Sequence, residues 1–125
     1  MKLLTIFFVL TLIFSPVWAE WKYLDHTDDF VVYLDYQTIR KTNNNRMAWV
    51  LYNFKIRQKS GHISYLNKEV YDCKNETFYY LSTNKYSLSF GLGDVISSDQ
   101  YESSNPTDIP PGSIADSILK AVCKK

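Results

Sequence analysis

The chain has 125 residues, 46% hydrophobic, 16% aromatic and 22% charged, with 14 Lys and Arg against 13 Asp and Glu. This length allows one domain of modest core and no more. The near-neutral balance argues against a general nucleic-acid binder, which is basic overall.

The first segment carries one cation, Lys2, then an apolar run of 12 residues from Leu3 to Phe14, a helix-breaking Ser15-Pro16, and Val17-Trp18-Ala19. That order is the pattern of a secretory signal peptide with an A-x-A-like cleavage site. Residues 1–19 are therefore predicted to be removed and residues 20–125 to form the mature domain. The apolar run falls short of the roughly 17 to 25 residues that span a bilayer, so no transmembrane segment is expected in the mature chain. No cysteine lies near the cut to accept a lipid, which favours periplasm or medium over the outer-membrane surface. Loss of Lys2 leaves 13 basic and 13 acidic residues, placed unevenly: residues 20–39 sum to −4, 40–85 to +6, 86–119 to −5, and the last six to +3. A basic middle suits an anionic glycan, a lipid headgroup or an acidic protein surface. Lys55, Arg57 and Lys59 are the nearest thing to a cluster within it. Solvated strand faces are the simpler reading of the same charges.

The mature sequence alternates short apolar segments with turn signals, as an antiparallel β domain does. Trp21–Leu24 is the first predicted strand, followed by a polar stretch from His26 to Asp29. Phe30–Ile39 comes next, with Phe30, Val32, Leu34 and Tyr36 on one face. Three consecutive asparagines between Arg40 and Arg46 tolerate left-handed backbone angles and predict a hairpin loop. Met47–Arg57 is the strongest strand, because Ala48, Val50, Tyr52, Phe54 and Ile56 form a row with a period of two that one sheet face can bury. Beyond a Ser60-Gly61 turn, His62–Cys73 returns as a strand in which Glu69, Tyr71 and Cys73 share a side. Lys74-Asn75-Glu76 turns the chain again. Thr77–Ser82 and Tyr86–Phe90 supply further aromatic strand, and Gly91–Asp94 is a loop. Residues 97–111 read as a long surface connection, with one short strand near Val95.

At the end the period changes. Ser113 can cap a helix while Asp116 reaches back in a capping-box arrangement. Ile114, Ile118 and Val122 then follow at helical spacing, widened by Ala115 and Leu119. Asp116 near the start and Lys120, Lys124 and Lys125 near the end suit the helix dipole. The fold class is thus α+β: a single antiparallel sheet of five or six strands with a C-terminal helix across one face. Cys73 and Cys123 are the two cysteines of an exported chain, so one pairing is available, and it would pin the helix to the sheet.

Residues for catalysis are few. His26 and His62 have no neighbour at metal-ligand spacing, and two exposed histidines are the expectation, although a small secreted hydrolase or nuclease could still bring them together. Asp25, Asp28 and Asp29 match no calcium loop and read as a solvated turn. Gly91-Leu92-Gly93 lacks the context of a phosphate loop. Asn75-Glu76-Thr77 is a formal glycosylation sequon whose first role is the turn. No cofactor or metal is expected. Tyr33, Tyr65, Tyr71, Tyr79, Tyr80 and Tyr86 fall on several strands, and as a set they favour a binding module over an enzyme.

Trp21, Val32-Tyr33-Leu34-Asp35 with Ile39, Trp49, Glu69-x-x-Asp72-Cys73, Pro111-Gly112-Ser113 and the terminal Val122-Cys123 together resemble the surface-adhesin protein E family of Gram-negative bacteria. The resemblance spans the mature chain. It implies a small antiparallel sheet with a C-terminal helix tied by Cys73 and Cys123, and a cell-envelope protein whose namesake binds host extracellular-matrix and serum proteins. A non-enzymatic binding module of this type is the leading expectation, with a homodimer through a sheet edge or aromatic face. A periplasmic structural or stress-related domain without host ligand is the alternative.

Overall fold

A computed structural model describes residues 19–102 and 105–124, so the predicted signal peptide lies outside the described residues except for Ala19. The described chain forms eight strands and one helix: β1 (Lys22–His26), β2 (Phe30–Leu34), β3 (Arg40–Thr42), β4 (Asn45–Phe54), β5 (Ser64–Asp72), β6 (Thr77–Tyr86), β7 (Val95–Gln100), β8 (Thr107–Asp108) and α1 (Ile114–Val122). All pair antiparallel in the order β1-β2-β4-β5-β6-β7. β2 and β3 lie end to end along one edge of β4, and β7 and β8 do the same along β6.

The alternation of β4 decides which face is buried. Ala48, Val50 and Tyr52 point to one side, where Leu34 and Val32 of β2 stand opposite Val50 and Tyr52. Ile118, Leu119 and Val122 of α1 close over this row. Each such side chain, fully buried, contributes about 1.5–3 kcal/mol of transfer free energy. The helix starts where expected. Ser113 Oγ accepts from the Asp116 amide at 3.1 Å, and the Asp116 carboxylate accepts from the Gly112 amide at 3.0 Å, one residue further back than a capping box reaches. Lys120 pairs with Asp116 across one turn at 3.0 Å. Cys123 follows the last turn and is bonded to Cys73 just beyond β5, a closure of 50 residues with the Cα atoms 5.7 Å apart.

Eight strands replace the expected five or six. β3 is polar and exposed throughout, so it carries no hydrophobic signal. It exists because Asn43, at φ +54, makes a turn tight enough for Thr42 to pair with Asn45. β7 is the short strand expected near Val95, extended to Gln100 into the predicted surface connection, while β8 falls wholly inside that connection; both pair by backbone with few apolar residues to mark them. The strand predicted over residues 30–39 ends at Leu34, because Asp35 Oδ1 accepts from the Gln37 amide at 3.0 Å and starts a 3-10 turn over Tyr36–Thr38. β4 stops at Phe54 rather than Arg57: the Lys55 amide adds one more bond in the β2–β4 register, to the Asp29 carbonyl, and the chain then turns, with the Gly61 amide bonded to the Gln58 carbonyl and the Gln58 amide to the His62 carbonyl, leaving Ile56 74% exposed. β6 runs unbroken to Tyr86, and residues 87–94 turn rather than continue as strand.

Candidate functional site

The histidines do not converge. His26 is exposed on β1 with Nδ1 2.6 Å from the Tyr23 hydroxyl. His62, expected to be exposed, is 7% exposed: Phe54 and Tyr65 pack around its ring, Ser60 Oγ lies 2.7 Å from Nδ1, and burial lowers its pKa. Among the described residues no hydrogen bond or ring contact joins the two, and no group of three His, Cys, Asp or Glu side chains could hold a metal ion. Asp25 instead accepts from Ser117 Oγ at 2.6 Å, tying β1 to the helix, and this bond lowers its pKa. Asn75 sits in the β5–β6 turn, where its amide and side chain both bond Asp72.

A polar centre lies beneath the helix-covered face. Glu69 on β5 is fully buried, accepting from the Tyr71 hydroxyl at 2.6 Å, the Tyr52 hydroxyl at 2.7 Å and Asn67 Nδ2 at 3.1 Å. Thr83 donates to Asn67 Oδ1 at 2.7 Å and completes the network. Burial pushes the Glu69 carboxyl up to about 7, although the three donors pull the other way. The same burial, with the carboxylate beside them, raises Tyr52 and Tyr71. Closed to solvent on every side, this network serves the fold rather than a ligand.

The exposed surface has a different character at the far end of the sheet from the disulfide. Every exposed large apolar residue other than tyrosine, among the described residues, falls there: Leu88, Phe90, Leu92, Val95 and Ile96 on one segment, and Ile56 on the neighbouring loop. Leu88, Leu92 and Val95 are 51%, 56% and 58% exposed. The two loops are tied together, because Arg57 donates through one guanidinium nitrogen to the carbonyls of Gly61 at 2.7 Å and Ser87 at 3.0 Å.

The apolar loop is held rigidly. The Ser87 amide donates to the Asp94 carbonyl, Leu88 to Leu92, and Leu92 to Ser89. Phe90 and Gly91 donate to Asn53 Oδ1 and Ser64 Oγ, and Ser64 Oγ in turn donates to the Leu88 carbonyl at 2.6 Å. Gly93 takes φ +80, and a Cβ there would collide with Ser87 and Leu88. Phe90 turns back onto Tyr33, with ring centroids 5.0 Å apart.

The predicted basic cluster is part of this end but not of a strand. Lys55, Arg57 and Lys59 are exposed in the loop after β4; Arg57 is engaged with backbone carbonyls, and neither lysine has a carboxylate at ion-pair distance among the described residues. The apolar residues beside them escape a reading that takes Tyr86–Phe90 as strand and Gly91–Asp94 as a bare turn. Their signal is a run of large apolar residues interrupted by glycines, with no alternation that could bury them.

A helix pinned by a disulfide to an antiparallel sheet, with a braced apolar loop at the opposite end, defines a small α+β domain. Over residues 21–124 the chain matches the family model described as surface-adhesin protein E, and it belongs to that family. Solved structures share the fold. Crystal form II of Haemophilus influenzae protein E superposes with a TM-score of 0.62 at 14% identity, over 80% of this chain and 91% of that one. The selenomethionine form gives 0.62 at 14%, over 80% and 89%. Protein E from non-typeable Haemophilus influenzae gives 0.57 at 13%, over 81% and 74%. At these identities the likeness is one of fold. No individual curated protein matches the chain in sequence.

Proposed function

We propose that the chain is exported, is cleaved behind Ala19, and acts without catalysis as an adhesin-like protein that binds host extracellular-matrix or serum proteins. The observation that carries this reading is the concentration of exposed apolar side chains on one hydrogen-bonded loop. Large apolar groups gathered in water mark contact surfaces, and a loop already fixed in shape loses little entropy when a partner covers it. Lys55 and Lys59 beside it would steer an acidic partner and set the salt dependence, while Arg57 holds the two loops together.

Solid-phase binding of the purified mature protein to immobilised matrix and serum proteins tests the proposal. Leu88→Ser with Leu92→Ser should weaken binding at least about tenfold, the scale of removing buried apolar anchors. Lys55→Ser with Lys59→Ser should lower the association rate more than it raises the dissociation rate. Unchanged binding in the leucine variant would move the contact elsewhere. Absence of any host ligand, with resistance to protease added to intact cells, would favour the periplasmic structural role. The outer edge of β7 is where a second copy would pair, and sedimentation of the mature protein reads that directly.

A further inference from the structure

The residue that cleavage behind Ala19 would expose is held at three points. The Glu20 backbone nitrogen donates to Asp35 Oδ2 at 3.3 Å. Its carboxylate accepts from Gln37 Nε2 at 3.1 Å and faces Lys22 Nζ at 3.4 Å. Asp35 stands at the end of β2 and is only 5% exposed. Its other oxygen is taken by the Gln37 amide, and among the described residues no Lys, Arg or His side chain pairs with it. Carboxylates this buried are normally matched by a cation, because desolvating an unpaired charge is expensive.

The missing cation is supplied by chemistry at residue 20 itself. In the uncleaved chain this nitrogen is a neutral amide. Hydrolysis of the Ala19–Glu20 peptide bond adds one water, leaves a carboxylate on Ala19, and leaves on Glu20 an amine that takes up a proton below its ordinary pKa of about 8. We infer that signal-peptide removal completes the fold: the new α-ammonium of Glu20 forms an ion pair with buried Asp35 and locks the start of β1 against the end of β2. The inference rests on the cleavage position proposed above. Gln37 and Lys22 hold the Glu20 side chain so that the nitrogen is already aimed at the carboxylate before the charge appears. Among the described residues β1 is an edge strand paired with β2 alone, and Asp25 farther along it bonds Ser117 of the helix, so a fixed N-terminus also braces the seat of α1.

The charged groups facing the new amine are Asp35, the Glu20 carboxylate and Lys22; the nearby Arg40 guanidinium is occupied by the Gln37 and Ile39 carbonyls. A raised amine pKa contributes stability below about pH 8, which is lost as pH rises through the folded value.

Two measurements decide the matter. Intact mass of the exported protein should place its first residue at Glu20; any other start overturns the inference by removing its premise, without touching the folding result. Protein beginning at Glu20 is then compared in denaturant at neutral pH with the same protein acetylated on the α-amine. Acetylation should raise the unfolding equilibrium constant about tenfold, the scale of one charge-assisted hydrogen bond. Asp35→Asn should erase that difference. Because Asp35 also starts the 3-10 turn, the α-amine pKa of the wild type is read independently by NMR titration, expected above about 8. Equal stability of the free and acetylated forms, or an α-amine titrating at its ordinary value, overturns the lock.

Discussion

On the helix side of the sheet a carboxylate, Glu69, is sealed from water, whereas at the end built from residues 87–96 five large apolar side chains stand in it. Both places reverse the ordinary preference of their residues, and both are tightly hydrogen bonded. The difference lies in what the order serves. Three donors converge on Glu69, so its network specifies how β4, β5 and β6 align beneath the helix. At the loop end the backbone makes the hydrogen bonds, from Ser87 to Asp94 and from Phe90 and Gly91 to the sheet, and while the Phe90 ring packs on Tyr33 the side chains of Leu88, Leu92 and Val95 stay more than half exposed. Rigidity with filled valences points to stability. Rigidity with exposed apolar groups points to contact with something outside the chain.

The sharpest way to separate the two regions is to release the helix. Replacing Cys73 and Cys123 together by Ser removes a closure of 50 residues, which in the chain-entropy model costs about 4 kcal/mol. Denaturant unfolding should show that loss, and hydrogen exchange should show α1 opening first. Amides of Phe90 and Gly91, bonded to Asn53 and Ser64, should keep their relative protection. Equal deprotection at both ends would mean that the disulfide braces the whole sheet and that the comparison fails.

Glu69 gives the next largest effect, and its sign is unusual for an acid. Burial pushes the folded carboxyl up to about 7 from its ordinary 4.5, so folding favours the protonated form. Its contribution is therefore greatest below about pH 4.5 and is lost as pH rises toward 7, by up to about 3 kcal/mol at 1.36 kcal/mol per unit. Asp25 and Asp72 run the opposite way, with lowered values whose contribution disappears only in stronger acid. Unfolding midpoints of the wild type should fall between about pH 5 and 8 relative to those of Glu69→Gln, whose own profile rises through about pH 6.5 because burial lowers the pKa of His62. A difference between the two profiles that does not change over this interval would show Glu69 ionised at no cost.

The buried half of this picture was readable in the residues. The even positions of β4, the i, i+4 row of Ile114, Ile118 and Val122, and the shared side of Glu69, Tyr71 and Cys73 follow from periods of 2 and 3.6, which hydrophobic burial imposes. What escaped the pattern was structure held by the backbone alone. β3 and β8 are short and polar, and their pairing is dictated by a tight turn and by strands already in place. Ile56 continued the alternation of β4 by residue type but left the sheet, because the chain turns just beyond Lys55 in a loop closed by backbone bonds from Gly61 to Gln58 and from Gln58 to His62. The loop end was missed for a related reason. Periodicity finds apolar residues that a chain buries within itself, and Leu88, Leu92 and Val95 stay more than half exposed among the described residues.

Two substitutions at that end separate the shape of the loop from its chemistry. Gly93→Ala forces a left-handed residue into contact with Ser87 and Leu88, and should cost about 1 kcal/mol or more of stability. Binding should fall with it, although no apolar contact has been removed, because the loop loses its fixed form. Leu88→Ser removes an apolar side chain that is already half in water, so the unfolding free energy should change by less than about 0.5 kcal/mol. Partner binding should nevertheless weaken in this variant as much as in Gly93→Ala. Stability and binding then move independently at Leu88 and together at Gly93. If Leu88→Ser instead destabilised the fold by as much as a core truncation, the side chain would be packing against its own chain, and the loop end would belong with Glu69 rather than opposite it.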